Sequence, residues 1–156
     1  MNPKGTTHYE SPEWDFALDV PAHWHTTPAV PENSPDELIR FHSDEGKNFL
    51  TIIFRETLVF VKGRDLEWSL KWHAQRRQQL LSPHGYQGFV GTPVTVQSLP
   101  GWRLDFEKPG NWGMWYCRYY FTARGGVLYR LGFGTSDKAG MFPIFEEVAQ
   151  SFTMKE

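Results

Sequence analysis

The sequence has little of what disulfide-bonded, membrane-spanning or secreted proteins need. Its 156 residues include one cysteine, Cys117, which excludes an intrachain disulfide and a thiolate metal cluster. No stretch approaches the ~20 consecutive apolar residues of a membrane-spanning helix. Residues 1–14 lack the apolar run of a secretory signal. These absences lead us to expect a soluble protein of the reducing cytoplasm.

An excess of basic residues is also missing. Sixteen Lys and Arg stand against eighteen Asp and Glu, so the formal net charge is −2. Nucleic-acid-binding domains carry a basic excess, and anionic membrane surfaces attract clusters of Lys and Arg. The overall charge therefore argues against nucleic acid, and against an anionic membrane surface as the main partner.

Aromatic residues, in contrast, are abundant. Twelve Phe, seven Trp and six Tyr make up 16% of the chain, which is more than a core of this size usually holds. We therefore expect some rings to be partly exposed, and exposed apolar patches commonly mark binding surfaces.

Hydrophobic alternation predicts strands that are paired through short turns. Turns are expected at 44–47, at Pro100-Gly101 and at Arg124-Gly125-Gly126. The segment 109–114 is expected to be a flexible loop. The predicted strands are 14–20, 37–42, 48–58, 94–99, 102–108, 115–123 and 127–133.

Two helices complete the predicted domain. Asp65 is a suitable N-cap for a helix over 65–82. A second helix is predicted at 141–150, docked through Ser151-Phe152, and residues 1–12 are expected to form a loose tail. The order of elements predicts a single α+β domain over residues 1–156, in which a mostly antiparallel sheet carries helices on both faces.

Four segments together resemble the PsbP-like superfamily. They are the strand that runs into Pro21-Ala22-His23-Trp24, the strand-to-helix region 50–81, the hairpin 94–104 and the ending 145–152. The resemblance implies an antiparallel sheet with helices on both faces and no shared enzymatic activity.

One bacterial part of that superfamily is especially similar. The run 50–56 followed by Asp65-Leu66-Glu67 resembles the DcrB-type proteins and the chaperones that pair with type VI secretion effectors. Such a resemblance implies a protein that shields hydrophobic segments of a partner and forms dimers.

Two sets of polar residues suggest metal or acid–base chemistry, and both have ordinary explanations that we favour. His23-x-His25 supplies two imidazoles, but no residue fixes a third ligand, for which His8 and Glu32 are the candidates. Asp105 and Glu107 share one strand face, whereas catalytic carboxylate pairs flank a cleft and come from different elements. We therefore predict no metal and no catalytic residue.

The two remaining reactive motifs are also weak. Cys117 alternates with Trp115 and Phe121 and is expected to be a core residue rather than a nucleophile. The segment 132–138 contains small residues but matches no phosphate-binding fingerprint. No cofactor is predicted.

The sequence supports a binding surface better than it supports a metal site or a catalytic site. Trp112 lies between glycines in segment 109–114, where core packing does not easily explain it. Arg103, Arg118 and Tyr120 lie on predicted strands as part of a polar lane, which is either a solvated charge ladder, the commoner outcome, or a recognition floor. The candidate partner-binding residues are Trp112, Met114, Trp115, Tyr116, Arg118, Tyr120, Arg103, Trp68 and Trp72.

Three functions remain open on the sequence alone. The first is a non-enzymatic chaperone or adaptor for a protein partner such as a secretion effector. The second is a small-ligand protein or enzyme with a pocket between the sheet and helix 65–82. The third is a structural homodimer that associates through exposed aromatic residues.

Overall fold

The computed structural model describes residues 5–28, 36–42, 49–111 and 113–154, and these residues form ten strands and two α-helices. The helices are α1 (Leu66–Leu81) and α2 (Lys138–Ser151). The strands are β1 (Thr6–Glu10), β2 (Phe16–Pro21), β3 (His25–Pro28), β4 (Glu37–His42), β5 (Phe49–Thr57), β6 (Gln87–Val96), β7 (Leu99–Gly110), β8 (Gly113–Arg124), β9 (Val127–Thr135) and β10 (Thr153–Met154).

The described strands form two antiparallel sheets. The larger sheet has the order β3-β4-β5-β9-β8-β7-β6, and the smaller one has the order β1-β2-β10. Every neighbouring pair is antiparallel. The predicted α+β class with a mostly antiparallel sheet is confirmed.

One face of the large sheet is covered by α2 and the small sheet. Tyr120 and Phe133 point to this side and pack with Phe145 of α2. Phe16 and Leu18 of β2 belong to the same core. We call this side of the large sheet the α2 face.

The opposite side carries α1, and we call it the α1 face. Leu70 and Ala74 of the helix are buried against Leu104, Phe106 and Cys117 of the sheet. Helices therefore lie on both faces, as the sequence predicts.

Helix α1 begins where its capping residue predicts. Asp65 lies in extended backbone, and its Oδ1 accepts the N–H of Trp68 at 2.9 Å. After Leu81 a short 3₁₀ turn runs over Ser82–His84, and Gly85, at φ 91°, adopts the left-handed conformation that ends it.

The turn between β6 and β7 differs from the prediction. It lies at Gln97-Ser98, where φ is 48° and 72°, and Pro100 is inside β7. Two successive positive φ values match the twist of a tight hairpin even though neither residue is glycine. The Gln97 N–H also donates to Gln150 Oε1 of α2 at 3.2 Å, which ties the turn to the helix.

The expectation of a loose tail over residues 1–12 is wrong for the described part of that segment. Residues 6–10 form β1, which pairs with β2 along its whole length. Tyr9 packs edge-on against Phe41 with 5.6 Å between ring centroids, so burial of this ring holds the strand. Trp14, in contrast, precedes β2 and is 36% exposed. The predicted turn at 44–47 lies outside the described residues.

The strained turn generates a stability prediction. Replacing Gln97 by Asn and Ser98 by Gly should raise the free energy of unfolding by about 1 kcal/mol, because both new residues tolerate positive φ. Urea denaturation would measure the change. The opposite substitution, Gly126→Ser at φ 82° in the β8–β9 turn, should destabilise the domain. Equal or lower stability of the Asn-Gly variant would contradict the strain argument.

Candidate functional site

The α1 face is only partly covered by its helix. Helix α1 packs on β6, β7 and β8, and beyond it a shallow trough crosses β8, β9 and β5. Leu50, Ile52 and Phe54 of β5 line one wall, and Trp115 and Tyr119 of β8 line the other. Alternation along each strand places all five side chains on this side of the sheet.

Two glycines of β9 form the floor of the trough. Gly132 lies between Ile52 and Tyr119 across the strands, and Gly134 lies in the next opposed position. A Cβ atom on Gly134 would lie 2.6 Å from Nε1 of Trp115. The absent side chains therefore allow the rings of β8 to lie down on the neighbouring strand and leave a recess.

The recess is small and mostly apolar. Its volume is about 170 Å³, below the roughly 300–1,000 Å³ of small-molecule sites. Tyr86, which follows the 3₁₀ turn, closes the helix side, and the Lys108 ammonium lies 4.9 Å from its ring centroid. The geometry suits a few apolar side chains of a larger partner better than a whole metabolite.

The described residues of segment 109–114 do not form the expected flexible loop. Lys108 pairs with Trp115, Pro109 with Met114 and Gly110 with Gly113, so the hairpin ladder runs to its tip. Met114 and Trp115 belong to β8 and are half-buried. Trp112 lies outside the described residues.

The predicted polar lane exists on the α2 face. Arg118 lies directly opposite Asp105 and donates to both of its carboxylate oxygens, at 2.6 and 3.3 Å. Arg103 Nε lies 3.4 Å from Asp105 Oδ2. Glu146 of α2 accepts the Tyr120 hydroxyl at 2.6 Å. The lane thus connects two strands to a helix.

Tyr120 is not the contact residue that the sequence predicts. Its side chain is fully buried, because α2 closes over it through Glu146. Burial and this hydrogen bond raise the pKa of Tyr120, although Arg118 opposes them. Tyr120 offers no surface to a partner. Tyr116 remains half-buried beside Lys138, whose ammonium lies 5.5 Å from the ring centroid.

Trp68 and Trp72 lie on the outer side of α1. Trp68 lies two residues before the buried Leu70 and Trp72 two residues after it. Two residues correspond to about 200° of rotation around the helix axis, so both rings lie on the side opposite Leu70. The Arg64 guanidinium lies 5.3 Å from the Trp68 ring centroid, and Trp72 packs edge-on against His73. Both Trp rings are half-buried by these neighbours.

Cys117 lies in the core, as expected. Burial raises the pKa of its thiol to about 12, although Lys108 opposes the shift. A thiol with such a pKa supplies almost no thiolate at neutral pH. The segment that begins at Gly132 continues β9, and Asp137 caps α2 by accepting the Gly140 N–H at 3.1 Å.

The candidate metal ligands His8 and His25 lie in different sheets. His25 lies opposite His42 in β3–β4 with 5.9 Å between ring centroids, whereas His8 bonds to Asp19 in the small sheet at 2.7 Å. Glu32 lies outside the described residues. Within the described residues, no three His, Cys, Asp or Glu side chains group as metal ligands would.

Sequence reasoning missed a buried ionic cluster next to the trough. Arg130 of β9 is buried, and its guanidinium lies 3.8 Å from the Phe54 ring centroid and 3.7 Å from Glu56 Oε2. Arg77 of α1 reaches the same carboxylate oxygen at 3.6 Å. His73 Nδ1 lies 3.3 Å from Glu56 Oε1, and its Nε2 accepts the N–H of Val59 at 2.9 Å.

The cluster shifts the pKa values of its members. Burial lowers the pKa of Arg130 to about 10, so it remains charged at neutral pH. Burial alone would raise the pKa of Glu56, but the His73 hydrogen bond and the charges of Arg130 and Arg77 outweigh it and lower the pKa. Period-2 alternation places Arg130 on the α1 face, yet only the fold reveals its partner on β5.

Glu56→Gln tests this cluster. The substitution should lower the free energy of unfolding at pH 7 by about 3 kcal/mol, because it leaves a buried cation unpaired. The lowered pKa of Glu56 means that its contribution is complete above pH ~4.5 and is lost as the pH falls through the native pKa. As the pH falls below ~4.5, the free energy of unfolding should therefore decrease less for the variant than for the wild type.

Urea denaturation at several pH values would measure both effects. Glu147→Gln is the matched control, because Glu147 is exposed on α2. Parallel pH–stability curves for the wild type and Glu56→Gln would contradict the role of the cluster.

Comparison with known proteins identifies the fold. No protein-family model matches the chain, and no curated protein matches it in sequence. Cyanobacterial PsbP from Synechocystis sp. PCC 6803 is similar in structure, with a TM-score of 0.76 and 13% identity over 99% of this chain and 95% of that one.

Two further solved structures are similar. The Ran-binding protein Mog1p from Saccharomyces cerevisiae has a TM-score of 0.63 and 12% identity over 96% of this chain and 95% of that one. LpqN of Mycobacterium tuberculosis, described as involved in cell envelope biogenesis, has a TM-score of 0.50 and 15% identity over 100% and 82%. The chain thus has a PsbP-like fold, as its sequence resemblance implies.

A search of the described helices for membrane spans found none with the necessary length and hydrophobicity.

Proposed function

We propose that this chain is a non-enzymatic binding protein that receives an apolar segment of a protein partner in the trough of the α1 face. The observation that carries the proposal is the half-open face itself, where Leu50, Ile52 and Phe54 oppose Trp115 above a floor of glycine. Trp anchors in partly preformed recesses dominate many protein interfaces. The role is that of a chaperone or adaptor acting in the cytoplasm.

Burial at the site supports a partner rather than a substrate. The trough walls are half-buried, each wall is a strand of the sheet, and Tyr119 packs edge-on against Phe106. The one thiol beside the trough, that of Cys117, is kept protonated by burial. An interface needs only the apolar surface, whereas catalysis needs an activated group.

The similar proteins give this proposal a context. Mog1p is described as Ran-binding, so the fold serves protein recognition in at least one case. The resemblance of residues 50–56 and 65–67 to the DcrB-type proteins and type VI effector chaperones makes a hydrophobic effector segment the occupant that we propose. A homodimer is the alternative occupant of the same surface.

The small-ligand alternative is less well supported. The centre of the interface between α1 and the sheet is filled by Leu70, Ala74, Leu104 and Phe106. The recess of the trough holds about 170 Å³, which would bury only part of a metabolite. A larger cleft of about 310 Å³ lies at the β6–β7 edge of α1, between Lys71 and Trp102, and is open to solvent. Native mass spectrometry that shows a retained small molecule would favour this alternative.

Photo-crosslinking tests the proposed site. A photoreactive residue at position 50 should form crosslinks to apolar segments of a partner in cells. The same residue at position 147, exposed on α2, should not. Equal crosslinking at both positions would contradict the proposal.

Substitutions in the trough provide a second measurement. Ile52→Asp and Trp115→Ala should each reduce recovery of the crosslinked partner by about tenfold or more, because each removes a central apolar contact. Trp14→Ala is the matched control on another surface. Circular dichroism establishes that each variant is folded, and unchanged recovery by folded Ile52→Asp would contradict the trough.

A further inference from the structure

A second surface of the α1 side combines exposed and half-buried apolar residues with cations. Its apolar members are Phe60, Val61, Trp68 and Trp72. Its basic members are Lys62, Arg64, Lys71 and Arg76, all of which are exposed. We call these eight residues the α1 outer surface, and it is separate from the trough.

Phe60 and Val61 form the apolar tip of this surface, which projects into solvent from a hydrogen-bonded segment. Phe60 is 72% exposed and Val61 41% exposed. The segment that bears them is anchored by two backbone N–H groups: that of Leu58 donates to Gly126 O at 3.0 Å and that of Val59 to His73 Nε2 at 2.9 Å. The structure therefore displays a large apolar side chain on an ordered support.

The tip and the helix form one surface. The ring of His73 receives the Val59 N–H and also packs against Trp72, with 5.2 Å between ring centroids. Arg64, which follows the tip, lies over Trp68. The tip consequently runs beside the outer side of α1.

The charge of this region is opposite to that of the whole chain. Residues 58–82 contain five Lys and Arg against two Asp and Glu, which gives +3. Arg77 pairs with Glu56, so the exposed charges of this segment sum to +2. The complete chain has a net charge of −2, so the remaining residues carry −5. The net charge of the whole chain does not reveal this positive charge, which lies on α1 and the turn before it.

We propose that the α1 outer surface docks peripherally on a negatively charged lipid bilayer. Trp and Phe enter the headgroup region with their apolar parts while Lys and Arg meet anionic headgroups. Trp rings favour this boundary because one part is apolar and the N–H is polar. The charge complementarity is with an anionic surface, and Phe60 and Val61 project from the turn that precedes the helix.

An acidic protein would satisfy the same charges but fits the shape less well. A protein partner would have to supply a pocket for the projecting Phe60 ring, whereas a bilayer accepts apolar groups at any lateral position. The proposal goes beyond the binding function of the trough and uses none of its residues.

Co-sedimentation with vesicles tests the proposal. The wild type should bind phosphatidylcholine vesicles that contain about 30% phosphatidylserine, release as salt is raised, and leave pure phosphatidylcholine vesicles unbound. Phe60→Ser should weaken binding. Lys62→Glu/Arg76→Glu should lower the apparent affinity more than about tenfold, because each cation near the surface contributes on the order of a factor of five.

Two controls separate this surface from others. Trp14→Ala removes a partly exposed ring of another surface, and Trp115→Ala alters the trough; both should bind vesicles like the wild type. Failure of the wild type to bind anionic vesicles at low salt, or wild-type binding by the charge-reversed variant, would overturn the proposal. Binding to polyglutamate without binding to vesicles would also overturn it and assign the surface to an acidic protein.

Discussion

The alternation of side chains along β9 determines what each side of the large sheet can do. This strand lies between β5 and β8 and is buried along almost its whole length. On the α2 face the strand contributes the large side chains of Tyr129, Leu131 and Phe133. On the α1 face it has no side chain at Gly132 and Gly134. One strand thus creates a packed core on one side and a recess on the other.

The buried charge of Arg130 shares the side of β9 that carries the glycines, and it lies next to the recess. Its guanidinium lies against Phe54 and Tyr119, at 3.8 and 5.1 Å from the ring centroids, and both rings line the trough. Glu56 balances the cation from β5. Arg130 Nη2 lies 3.7 Å from Glu56 Oε2, so the recess is bordered by an ion pair as well as by aromatic rings.

Most of the fold follows from local sequence signals, and the exceptions have identifiable causes. Alternation and glycine-rich turns predict the pairings of β4 with β5 and of β8 with β9. The β6–β7 turn was misplaced because Gln97 and Ser98 adopt positive φ without the usual Asn or Gly signal. Pro100-Gly101 gives a stronger turn signal but lies inside β7.

The candidate site was only partly predictable, because it depends on contacts between strands that are distant in sequence. Trp115 and Trp72 were selected for their composition and spacing, but the trough requires Gly134 beside Trp115 and Leu50 across from it. Tyr120 was assigned to a binding face by correct alternation. Its burial depends on Glu146, which approaches from a helix 26 residues later, and no local pattern contains that information.

The edges of the large sheet are poorly suited to strand addition, which favours its open face as the place for the association that we propose. The outer edge of β6 includes Pro93, which lacks an N–H, and Thr95, whose carbonyl accepts the Gln150 side-chain amide at 2.6 Å. Strand β3, at the other edge, has four residues and ends in Pro28. Strand addition needs a continuous row of free backbone groups, which neither edge provides among the described residues. Since α2 and the small sheet cover the α2 face, the partner segment that we propose would lie across the open face of the sheet, against side chains such as Ile52 and Trp115.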